Sequence, residues 1–128
     1  MGEGRKLDLL LRFEILAFAA AALVHAGVLV DGYEHQAAYI AETVIAVVLL
    51  AGLLVGGLKP GWAPRAVVAA QAFALLGTLV GVVTIVIGVG PRTAPDVVYH
   101  ILMVPILAGG LWLALRWRSA QRPRVEQP

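Results

Sequence analysis

Three residues set in apolar surroundings carry most of the chemistry that this sequence could do: His25, Glu42 and His100. Two histidines and one carboxylate are a ligand set for a divalent metal such as Zn²⁺, Fe²⁺ or Cu²⁺. Two histidines on different helices could instead be the axial ligands of a b-type haem. A glutamate and a histidine can also exchange protons near neutral pH, as in a proton or ion path. The fourth use is static, with Glu42 hydrogen-bonded to a histidine and the pair tying two helices together. Metal motifs at helical spacing, such as His-x-x-x-His or Glu-x-x-His, are absent, so only the fold can assemble a site. No nucleophile-plus-base arrangement is visible, which makes an enzyme acting alone the weakest reading.

The elements that position these residues are long apolar runs. Of 128 residues, 60% are hydrophobic and 14% charged, whereas a soluble domain carries about 25% charged residues. Four runs are long enough to cross ~30 Å of hydrocarbon as helices: 13–30, 36–58, 66–90 and 97–115. They lack the alternation that a membrane barrel needs. The links are short and marked by Asp31-Gly32, Lys59-Pro60-Gly61, Gly90-Pro91 and Ala94-Pro95, so neighbouring helices run antiparallel. The expectation is an all-α fold, a transmembrane up-down four-helix bundle forming one membrane domain over 1–118, with a mobile cytoplasmic tail over 119–128. Val24-His25-Ala26 is a passable leader-cleavage site, but Arg12 and Glu14 interrupt the apolar run before it, so the segment reads as a retained span.

Charge gives direction. If the spans alternate, nine of the ten Lys and Arg residues fall on one side and Arg92 alone on the other. Positive residues mark the cytoplasmic side, so both termini are expected there, in the inner membrane of a bacterium. Trp62, Trp112 and Trp117 sit near the same interface, where indole rings anchor. All three histidines and all three tyrosines then gather toward the outer face. Counted along a helix, His25 lies ~9 Å, Glu42 ~10 Å and His100 ~6 Å inside the outer boundary. Thr84 is at a similar depth. Ionisable groups in a span are expected to face the bundle interior or a water-filled cavity.

The remaining polar residues read more plainly. Asp96 follows Pro95 and suits a helix N-terminus. Arg92 is expected to pair with Asp31, Glu34 or Asp96. His35 and Glu34 read as a solvated loop. Toward the cytoplasm, Glu14 and Gln71 lie at similar depth, where a hydrogen bond between them is possible. The layers between are Leu, Val, Ile and Ala, which weighs against a channel. Gly77 and Gly81, and Gly52 and Gly56, are small-residue pairs that suit close packing, inside the bundle or on a homodimer face. Pro105 lies inside the fourth run, where it removes a backbone donor and should kink the helix. There is no cysteine, so disulfides, thiolate metal sites and thiol catalysis are excluded. The net charge of +2 gives no reason to expect nucleic acid.

Leu23–Glu42 (LVHAGVLVDGYEHQAAYIAE) and Gly88–His100 (GVGPRTAPDVVYH) resemble segments of small bacterial four-helix inner-membrane proteins. The resemblance implies the same setting and brings neither an activity nor site residues. Two functions stand side by side. One is a polar pocket near the outer face, built on His25, Glu42 and His100, that binds a metal, haem or small ligand. The other is an accessory or structural subunit of a larger membrane complex, or a proton-conducting or ion-conducting bundle. The lipid bilayer is the expected partner in each, with a second copy or another membrane subunit possible.

Overall fold

The structure, a computed structural model, describes residues 2–121. Four helices follow one another, α1 (Glu3–His25), α2 (Gln36–Leu58), α3 (Ala63–Ile87) and α4 (Ala94–Ala120), with no strand among the described residues. The expected all-α class holds. α2, α3 and α4 are each long and apolar enough to cross a membrane. Only 22% of the apolar stretch of each is buried inside the protein. Leu76, Val80, Val83, Val86 and Ile87 of α3 point outward, a surface that lipid tails cover without cost and water would not.

α1 differs. It carries Arg5, Lys6, Asp8, Arg12 and Glu14 and does not belong with the three strongly apolar helices. It is also set earlier in the chain than its apolar run. Leu7, Leu11, Glu14, Phe18, Ala22 and His25 form its buried face, at the helical spacing of three and four residues. The helix stops at His25 because Gly27 takes φ +71°, a left-handed conformation that closes helices. Val28 N–H then donates to Leu23 O at 2.9 Å, and Val28, Leu29 and Val30 are exposed in the link rather than helical. Ser119 and Ala120 are the last residues of α4, and 122–128 of the expected tail lie outside the described residues.

α1 packs on α2, α2 on α3, α3 on α4, and a sparser α1–α4 seam closes the ring. α1 and α3 are diagonal, as are α2 and α4. The core is Leu7, Leu11, Phe18, Ile45, Leu49, Val67, Ala70, Ala74, Met103, Leu107 and Ala114. Glycines let the backbones close up. A Cβ on Gly52 would lie 2.6 Å from Ala70 Cβ, and one on Gly77 2.9 Å from Ile45 Cδ1, so both glycines face neighbours inside the bundle. α1 runs the full height of the bundle, because Glu3 meets Arg116 at 3.5 Å and Gly4 packs on the Trp117 ring. Pro105 is accommodated within a continuous α4.

Candidate functional site

The polar layer expected toward the outer face is built on His25, the last residue of α1. Its main chain is held by His35 N–H, which donates to His25 O at 2.9 Å. Its ring stands between two carboxylates. Nδ1 lies 2.7 Å from Glu42 Oε2 and Nε2 lies 3.0 Å from Asp96 Oδ1. One imidazole thus joins α1, α2 and α4. Each contact needs one hydrogen. Whether the ring carries both or a carboxyl carries one, the three groups with these two hydrogens and no other sum to a net charge of −1.

The two carboxylates are served unequally. Asp96 Oδ2 accepts from the Thr93 hydroxyl and from Thr93 N–H at 3.0 Å. With the Thr93 hydroxyl accepting from Asp96 N–H, this is a capping box at the start of α4, where the helix dipole also favours negative charge. Glu42, in the second turn of α2, has His25 and nothing else. Its Oε1 accepts no hydrogen bond among the described residues, although the side chain is only 8% exposed.

Glu42 forms part of the wall of two cavities. One, of about 310 Å³, lies mainly between α2 and α3 and is lined by Ala38, Ala41, Ile45, Gly77, Gly81 and other apolar residues, with His35, Thr84, Tyr99 and His100. The other, of about 390 Å³, opens along the α1–α4 seam against Ala17, Ala20, Ala21, Val24, His25, Pro95 and Asp96. Tyr99 also lines both. Its ring packs edge-on against Phe18 and His100, and its buried hydroxyl has no partner among the described residues.

His25 and Glu42 therefore meet, but His100 does not join them. Its Nδ1 lies 2.8 Å from the Asp96 carbonyl, which can only accept, so Nδ1 carries the hydrogen and Nε2 the lone pair in the neutral ring. That lone pair lies against Gly81, where an added Cβ would be 2.7 Å away. Asp96 takes the third place instead. The sequence suggests the α4 cap or Arg92 as the partner of Asp96, yet one oxygen serves the cap and the other His25. His35 is more than loop, since it caps α2 by accepting from Ala38 N–H at 3.2 Å. The ring nitrogen left over, Nε2, is then a donor. Arg92 pairs with none of the three expected acids. It donates to the carbonyls of Ile85 and Val86 at the end of α3, where a cation complements the helix dipole.

Neither His25 ring nitrogen is left for a metal or for haem iron, and among the described residues no three His, Asp or Glu side chains are grouped to hold a metal ion. What the layer offers is space, an apolar wall and unsatisfied acceptors. Comparison of the chain with protein families, with curated proteins and with solved structures returns no match.

Proposed function

We propose that this is a four-span inner-membrane protein, with both ends cytoplasmic, that holds a small organic ligand in its outer half. The ligand has an apolar body and a hydrogen-bond-donating, preferably cationic, head such as a primary ammonium. The observation that carries the reading is Glu42, whose side chain is nine-tenths buried and whose Oε1 has no hydrogen-bond partner among the described residues, on the wall of a mainly apolar cavity of about 310 Å³. That volume falls at the lower end of the ~300–1,000 Å³ typical of ligand pockets. The His100 lone pair and the Tyr99 hydroxyl supply further acceptors, and the net charge of −1 around His25 favours a cation over a neutral donor. Passage of α1 through the bilayer is supported by its reach from Trp117 to the outer layer.

The test uses cyclohexylammonium and its uncharged counterpart cyclohexanol on detergent-purified protein, by calorimetry and thermal shift. The reading expects saturable binding of the amine, at least tenfold weaker binding of the alcohol, and loss of the difference in Glu42→Gln. Equal binding of both probes, or binding unchanged in E42Q, contradicts it. A second reading has one observation in its favour. Both His25 nitrogens are engaged across three helices, so the layer serves as a structural cross-tie in an accessory subunit. Amine-insensitive protein that co-purifies with a stoichiometric partner supports that reading.

A further inference from the structure

A second buried polar pair lies in the inner half of the bundle, and the pocket makes no use of it. Glu14 of α1 and Gln71 of α3 are both 0% exposed, and they meet across the diagonal of the bundle. Gln71 Nε2 donates to Glu14 Oε2 at 2.6 Å. The other oxygen of each group, Glu14 Oε1 and Gln71 Oε1, is buried with no partner among the described residues. Among the described residues, Glu14 makes no ion pair, and the nearest cation in sequence, Arg12, faces outward onto Asp8 at 2.9 Å. α4 presents Gly110 to the amide, with Gln71 Oε1 2.8 Å from where its Cβ would stand, and its other buried residues in this half, Leu107 and Ala114, are not titratable. α2 contributes Leu49 and Gly52 to its buried face in this half, neither titratable. An unpaired carboxylate in this setting would cost several kcal/mol.

We infer that Glu14 and Gln71 form a proton-binding site, in which one hydrogen on Glu14 Oε1 is donated to Gln71 Oε1 and closes a cyclic acid–amide pair. A single proton satisfies both orphaned oxygens and removes the charge. The conclusion survives exchange of the amide nitrogen and oxygen, which are told apart only by their bonding. With the amide turned, two acceptor oxygens would face each other at the same contact, and only a proton on Glu14 could join them. A metal cation does not fit, since hard cations take about six or more oxygen ligands, two oxygens are free here, and neither cavity reaches these residues. The neutral pair also explains how α1, the most polar of the four helices, can keep an acid at mid-height in a bundle bathed in lipid.

Infrared difference spectroscopy of the purified full-length chain at neutral pH tests this. The wild type is expected to show a protonated-carboxyl C=O band that shifts in D₂O, is lost in Glu14→Gln, and survives in Glu42→Gln and Asp96→Asn. Gln71→Leu, which removes the partner without touching the acid, is expected to move that band to the position of a free, unbonded acid, and this readout does not depend on E14Q. No band in the wild type, a band untouched by E14Q, or a band unmoved by Q71L would each overturn the inference.

Discussion

Two polar layers lie about eleven residues apart on the buried face of α1, one at Glu14 and one at His25, which is ~16 Å along the helix axis. They handle buried acids in opposite ways. The outer layer sets two carboxylates on one imidazole, keeps a net charge of −1, and leaves Glu42 Oε1 beside a cavity. The inner layer has one acid and one amide, neither of them on the wall of the two cavities described, with Gly110 seated directly on the amide. Between them stand Phe18, Ala22 and the Thr78 hydroxyl, which is spent on its own helix at Ala74 O. The difference teaches that burial alone does not define a site in this bundle. Buried acids close by are neutral and packed in one layer, and charged and under-served in the other.

The largest effect should come from breaking the outer layer at its centre. His25→Leu leaves Glu42 and Asp96 buried without their shared donor, and removing one partner of a buried ionic network costs about 3–5 kcal/mol. Chemical unfolding in detergent is expected to show a loss of that size. The inner layer is most sensitive to volume. Gly110→Val drives a side chain into the Gln71 amide and should cost about 1–3 kcal/mol as overpacking, while leaving amine binding unchanged by calorimetry. Thr93→Ala removes the capping box that holds Asp96 and should cost about 1 kcal/mol, with weakened hydrogen-exchange protection in the first turn of α4. The smallest effect should be Glu14→Gln, expected within about 1 kcal/mol of wild type, because an amide–amide pair reproduces both bonds. A large change in stability for E14Q would mean that the inner acid is charged, like the outer group, and the contrast would collapse.

Much of this arrangement was legible in the sequence. The apolar run over 36–58 is helical from end to end. Helical rise alone put His25 and Glu42 at one depth, and they meet at 2.7 Å. The same counting makes a Glu14–Gln71 bond possible, and it forms. What escaped had specific causes. The apolar run over 13–30 lies later than α1 because it continues through Val28–Val30, beyond a glycine whose positive φ ends the helix. The three- and four-residue spacing from Leu7 to His25 was the better signal. Nothing in the sequence points from Asp96 to His25, because a residue after Pro95 already suits the cap, although a carboxylate has two oxygens and the cap needs one. His100 fell out of the layer because a histidine one turn into a helix can bond the carbonyl four residues back, which depth counting does not reveal.

The contrast between the layers is tested most directly by one carbon-13 spectrum of protein labelled at the glutamate side-chain carboxyl, assigned with E14Q and E42Q, and recorded with and without cyclohexylammonium. The account predicts that the Glu42 resonance moves on addition of the amine and saturates, while Glu14 sits at the position of a carboxylic acid and does not move. A Glu14 resonance at the carboxylate position, or a Glu42 resonance indifferent to the amine, would contradict it.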